Sequence, residues 1–162
     1  MRQLWAPWRL EYIRQADDLD ACIFCRAAAD EGGNDADALV VSRGERAFVL
    51  LNRFPYASGH LMVSPVRHEA EFGGLSAEEA LEVHRLASVA LGVLAETMRP
   101  QGFNLGWNLG RIAGAGIVDH VHLHVVPRWA GDTNFMPVLA DVKVMPEALE
   151  ETRRKLADAW PR

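Results

Sequence analysis

Two short apolar runs, Leu39-Val40-Val41 and Ala47-Phe48-Val49-Leu50-Leu51, flank a Gly44-Glu45 turn, which is the pattern of a β-hairpin. Leu61-Met62-Val63, closed by Pro65, predicts a third strand. The period then changes. Between Ser76 and Met98, Leu86, Val89, Ala90, Val93 and Leu94 fall on one helical face. Ser76-Ala77-Glu78-Glu79 has the form of a capping box, in which the Ser hydroxyl and a Glu carboxylate satisfy free amide donors. Pro100 and Gly102 stop the helix. Gly102 to Leu109 predicts a strand that leads into a glycine-rich turn, Gly110 to Gly116, and Val118 to Pro127 predicts the last strong strand. Pro146 to Trp160 predicts a terminal helix with Pro in its first turn and Glu150/Arg154 and Glu151/Lys155 spaced i,i+4. Strands on both sides of one long helix predict an α+β fold with a mostly antiparallel sheet. Residues 1–20 hold Trp5, Trp8 and Tyr12 without a period, and read as an N-terminal arm packed on the body or on a partner subunit. Residues 26–38 read as a surface loop, and nothing divides the chain, so 1–162 is expected to be a single domain.

Composition narrows the partners. Of 162 residues, 49% are hydrophobic and 24% charged, enough apolar material for a buried core. The formal charge of −5 argues against a nonspecific nucleic-acid binder, though not against a locally positive pocket. No apolar stretch approaches the length of about 18 residues that a membrane helix needs. The start, Met1 to Arg9, has a Pro and repeated charges where a signal peptide needs an apolar run, so a cytoplasmic protein is the expectation. The only cysteines are Cys22 and Cys25, spaced C-x-x-C. In a reducing compartment they form half a metal site, a redox pair or two small apolar residues.

Asp119-His120-Val121-His122-Leu123-His124-Val125-Val126-Pro127-Arg128 carries most of the chemistry. Strand alternation turns Val121, Leu123 and Val125 toward the core and His120, His122 and His124 to the other face. Three readings compete: a solvated edge strand, a metal site made by the row itself, and covalent catalysis. Two-residue steps put His120 and His124 about 13 Å apart, too far for one ion to bind all three. Covalent catalysis fits better, with the middle imidazole attacking an electrophile while its neighbours fix its tautomer and stabilise charge.

The segment His120 to Val126 resembles the His-φ-His-φ-His-φ-φ pattern of the histidine triad (HIT) family of nucleotide hydrolases and transferases. Asn52-Arg53-Phe54-Pro55, Gly59 to Val63, Asn104 to Gly114 and Pro127 to Asp132 resemble the same family in the same order. Leu4 to Arg9 and Gly131 to Phe135 are similar to its bacterial diadenosine tetraphosphate phosphorylase and hydrolase branch. The resemblance implies an antiparallel sheet shared by the two subunits of a homodimer and a nucleotide substrate. It implies that His122 attacks an α-phosphorus to give a nucleotidyl-histidine, that His124 bonds phosphate oxygens or the leaving group, and that His120 supports the row. Asn52 matches the ribose position and Asn108 an amide near the scissile phosphate. Gly110, Gly114 and Gly116 would let backbone amides approach phosphate, and Arg128 would face phosphate or pair with a surface acid. One departure stands out. The family commonly has a Gly-Gln-Ser/Thr hydroxyl before the triad, where this chain has Gly114-Ala115-Gly116-Ile117.

Zinc-carrying members pair a C-x-x-C with a His after Pro-x-x, here Pro65-Val66-Arg67-His68, and with the first His of the triad. Cys22, Cys25, His68 and His120 would then hold a structural zinc, which organises the site without being the catalyst. Magnesium would enter only with the substrate phosphates. The expected activity is cleavage of a phosphoanhydride in a dinucleoside polyphosphate such as diadenosine tetraphosphate. The rivals are a nucleoside phosphoramidase, a catalytically silent nucleotide-binding protein and a hydrolase with a metal on the His row. His84 reads as an ordinary helix residue, His60 as structural, and Trp107 and Trp129 as packing more than base contacts.

Overall fold

The computed structural model describes residues 22–29, 35–132 and 147–161. The expected arm at 1–20 and the stretch Thr133-Asn134-Phe135 lie outside the described residues. Helix α1 is Ile23–Ala29. Strands β1 (Val40–Arg43), β2 (Ala47–Leu51) and β3 (Leu61–Pro65) follow, then the long helix α2 (Ala77–Met98), β4 (Gly102–Trp107), β5 (Leu123–Arg128) and α3 (Leu149–Asp158). The five strands form one antiparallel sheet in the order β1-β2-β3-β5-β4. The α+β expectation is met.

Every residue of β2 and β3 is buried, because both faces of the sheet are covered. On one face Val49, Leu51, Leu61, Val63, Leu123 and Val125 pack with Val83, Ala87, Ala90 and Leu94 of α2 and Leu156 of α3. On the other, Phe48, Leu50 and Met62 pack with Phe24 and Ala27 of α1. Helix α2 opens on the expected capping box: Ser76 Oγ accepts from the Glu79 amide and Glu79 accepts from the Ser76 amide. It closes at Arg99, whose φ of 50° is left-handed, one residue before Pro100.

Three boundaries and one side-chain pairing differ from expectation. Part of the supposed loop 26–38 belongs to α1, a short helix stabilised by burying Phe24 and Ala27 three residues apart. The last strand begins at Leu123 rather than Val118. Pairing with β3 stops at Val63↔Leu123, because Pro65 has no amide hydrogen to continue the ladder. Beyond that point Ser64 Oγ donates to the Val121 carbonyl, and the Val121 amide donates to the Glu69 carbonyl (2.6 Å). β4 ends at Trp107, before the glycine-rich turn. In α3, Arg154 pairs with Glu151 (2.6 Å) and Asp158 (3.2 Å) instead of Glu150, while Lys155 reaches Glu151 at 4.0 Å. No helix among the described residues is long and apolar enough to cross a membrane.

Candidate active site and metal cluster

The chemistry sits on the sheet face opposite α2. His124 of β5 lies between Met62 of β3 and Gly106 of β4. A Cβ built on Gly106 would meet no atom within 4 Å among the described residues, so none of them fills the space beside His124. His122 and His124 remain neighbours, their rings 4.9 Å apart and nearly perpendicular. None of the three row imidazoles is solvated: His120 is 0%, His122 6% and His124 7% exposed. The edge-strand reading is thereby excluded, since buried imidazoles need partners.

Those partners fix the tautomers. His122 Nδ1 lies 2.8 Å from the His120 carbonyl, which can only accept, so Nδ1 carries the proton and Nε2 keeps its lone pair. Burial pushes the His122 pKa below the usual imidazole range, which favours the neutral ring. The Phe24 ring lies 4.7 Å from that of His122 at 30°.

The His124 tautomer is fixed through His60. The Tyr56 amide donates to His60 Nδ1 (3.0 Å), which therefore has no proton. The His60 proton sits on Nε2 and points at His124 Nδ1, 2.9 Å away. His124 in turn carries its proton on Nε2; the Asn108 side-chain nitrogen, 3.2 Å away, is a second donor beside it and not its acceptor. His60 is completely buried. Its role as an orienting partner was not legible in the sequence, because it depends on β3 pairing with β5.

A second cluster adjoins the row. Ligand atoms of Cys22, Cys25, His68 and His120 all lie within 4.8 Å of one another. Cys22 Sγ is 3.3 Å from His120 Nδ1, Cys25 Sγ is 3.1 Å from His68 Nδ1, and Cys25 Sγ is 3.6 Å from His120 Nδ1. A tetrahedral zinc with Zn–S of about 2.3 Å and Zn–N of about 2.0–2.1 Å separates its S and N ligands by about 3.6 Å. Those three S–N pairs are at or just inside that spacing. His120 Nε2–H donates to the Pro65 carbonyl (3.0 Å), which turns the Nδ1 lone pair to the sulfurs. Burial pushes the Cys22 thiol up to about 11. A bound dication reverses that penalty by favouring the thiolate. The donor set fits a metal ion.

The other expected residues separate. Asn52 borders the site: its Oδ1 accepts from the Phe54 amide and its Nδ2 stands 3.5 Å from His60 Nδ1. Gly110 and Gly114 take φ values of 85° and 96°, which glycine tolerates, around a 3-10 turn at Arg111–Ala113. The amides of Ala113, Gly114 and Ala115 bond to carbonyls of Gly110 and Arg111 within that loop. Gly116 follows, half-buried, with φ outside the left-handed set. Arg128 stands four residues along β5 from His124. Its guanidinium binds Asp132 (2.6 Å) and Asn104 (2.8 Å), the acid-paired setting of the two expected for it. Trp107 packs against the core on the α2 side. Sequence reasoning gave Phe24 and Tyr56 no role, although Phe24 lies between the two cysteines.

A family model described as HIT domain matches residues 34–131. The chain is 38% identical over 167 residues to an AP-4-A phosphorylase of Mycobacterium tuberculosis, covering 100% of this chain and 86% of that one. It is 29% identical over 108 residues to an adenosine 5'-monophosphoramidase of Schizosaccharomyces pombe, covering 67% and 74%. Among solved structures it is similar to a Zn-bound histidine triad family protein from Mycobacterium smegmatis. There the TM-score is 0.69 and the identity 26%, over 86% of this chain and 93% of that one.

Proposed function

The chain belongs to the HIT domain family, and on that premise we propose that it cleaves dinucleoside polyphosphates, diadenosine tetraphosphate foremost, through a nucleotidyl-histidine intermediate. One observation carries the reading. The two neighbouring imidazoles are set in complementary tautomers, an Nε2 lone pair on His122 and an Nε2–H on His124. The His122 lone pair attacks the α-phosphorus, an N–P bond forms, and the P–O bond to the remaining polyphosphate breaks with its electron pair leaving on oxygen. His124 Nε2–H and the Asn108 amide stabilise the phosphate oxygens. A second acceptor then takes the nucleotide from the histidine. Splitting one displacement into two, with donors fixed beforehand, lowers the barrier to each.

The Cys22, Cys25, His68 and His120 cluster supports zinc as its ion. Bound there, zinc supplies folding energy by tying α1 to the segments that hold His68 and His120. His120 hands a carbonyl, not a charge, to the nucleophile. The proposal extends to one HIT unit across residues 1–162, to a cytoplasmic setting, and to a homodimer. The outer edge of β4, where Asn104, Leu105 and Gly106 are exposed, supports a sheet continued into a second copy.

The test is product analysis of diadenosine tetraphosphate with and without inorganic phosphate. ADP plus ATP formed only with phosphate identifies a phosphorylase, as the M. tuberculosis relative is named. AMP plus ATP from water alone identifies an asymmetrical hydrolase. No cleavage under either condition overturns the proposal. A second reading, nucleoside phosphoramidase, rests on the match to the S. pombe enzyme. It wins if an adenosine phosphoramidate turns over and the dinucleotide does not.

A further inference from the structure

Departure of a polyphosphate leaves negative charge on the oxygen that quits the α-phosphorus, and the donors meeting it so far are neutral. They are one imidazole N–H and one carboxamide. The loop before the triad has no hydroxyl at Gly114, Ala115 or Gly116. Its amides at 113–115 are already bonded within the loop. A donor from another part of the fold would add to these, and Tyr56 is placed to be it.

The Tyr56 ring lies 4.6 Å from the His60 ring at 35° and 5.7 Å from the His124 ring at 29°. Its own backbone amide donates to His60 Nδ1, so ring and main chain are anchored to the same buried imidazole. The outer part of the residue stays open, at 43% exposure. The hydroxyl oxygen is 3.4 Å from Asn108 Nδ2, which is itself 3.2 Å from His124 Nε2. Three polar groups from β5, from the end of β4 and from the β2–β3 connection thus border one spot. That spot adjoins the open space beside Gly106 and Gly110. Stacking on two imidazoles would need only a phenyl ring. The hydroxyl adds a donor where an anionic oxygen would sit.

We propose that Tyr56 is a catalytic residue whose hydroxyl donates a hydrogen bond to the departing polyphosphate oxygen. The inference rests on the phosphoanhydride reading above. Tyr56 keeps its proton throughout. The P–O electron pair leaves on the oxygen, and the hydrogen bond strengthens as that charge grows.

Tyr56→Phe keeps the ring and removes the donor. With diadenosine tetraphosphate, kcat should fall about ten- to a hundredfold, a loss typical of one preorganised donor, while KM and Tm hold. With the p-nitrophenyl ester of AMP, whose phenolate leaves readily, the fall should stay below about threefold, since a weakly basic leaving oxygen gains less from a donor. Unchanged kcat on the dinucleotide overturns the proposal, and so do equal falls on both substrates, because the hydroxyl would then act elsewhere. Wild-type turnover that survives His122→Ala overturns the reading of the whole site. Turnover that needs His122 but ignores Tyr56→Phe overturns the tyrosine alone.

Discussion

His120 and His122 are the same residue type, two positions apart and both buried, yet their surroundings prepare them for opposite work. His120 gives its Nε2–H to the Pro65 carbonyl and turns Nδ1 into a cluster of two sulfurs and a second imidazole. His122 gives its Nδ1–H to the His120 carbonyl and leaves Nε2 uncommitted to that bond. The first nitrogen points into a closed set of four ligands, the second toward a face bordered by His124. What decides the role of each imidazole is where its other nitrogen is tied. The two regions also share a part, since the backbone of a metal-cluster residue orients the nucleophile.

The largest effect expected from breaking this pairing is at the reactive end. His122→Ala should lower turnover by about 10⁴-fold or more, as loss of a covalent nucleophile does, with far-UV circular dichroism unchanged. Turnover within tenfold of wild type would remove His122 from the chemistry. The next is at the orienting partner. His60→Ala should lower kcat by about a hundredfold with KM little changed, because His124 loses the bond that places its proton on Nε2. Nitrogen NMR should show the His124 tautomers mixing, and a single unchanged tautomer would contradict the argument from Tyr56 and His60.

At the closed end the expected change is in stability. Stripping metal with a chelator should lower Tm by on the order of 10 °C, with activity persisting at temperatures where the fold survives. Activity that vanishes at unchanged Tm and returns with zinc would move the metal into the chemistry and break the division between the two histidines.

The smallest effect tests how the His68 segment is held. Arg67 binds Glu79 through Nε and Nη2 (both 2.9 Å) and Glu69 through Nη1 (2.9 Å), beside His68. The Arg67 hydrogen bond holds the Glu79 carboxyl at about 2, below its ordinary 4.5. A depressed folded-state pKa gives stability that is present above about 4.5 and lost as pH falls toward about 2. Glu79→Gln should flatten that part of the acid unfolding curve and lower Tm at pH 7 by a few degrees. An acid limb unchanged by the substitution would detach this pair from the stability of the segment.

How much of this could be read from the chain differs between fold and site. Strong local signals carry the fold: the short apolar runs of β2 and β3, the Ser76–Glu79 box, the apolar face of α2. Helix α1 has only seven residues and its reason to be helical is Phe24 meeting the sheet, which no local pattern contains. The start of β5 lies later than alternation places it, because alternation continues through His120 and His122 while the ladder is ended by a proline on another strand. In the site, residues named by chemical type were legible, the histidines and cysteines above all. Asn108 and Asn52 became candidates only through resemblance. Tyr56, Phe24 and the orienting bond from His60 were not legible, since each acts through a contact across strands or with α1, and aromatic residues ordinarily signal packing.

The central claim is that His122 carries the nucleotide covalently for part of each cycle. Rapid quench of the enzyme with diadenosine tetraphosphate labelled at the α-phosphorus addresses it directly. Acid-labile label should appear on His122 within the first turnover, at a rate no slower than kcat, and should be absent from His122→Ala. Products accumulating through the first turnover with no label on the protein would contradict the claim.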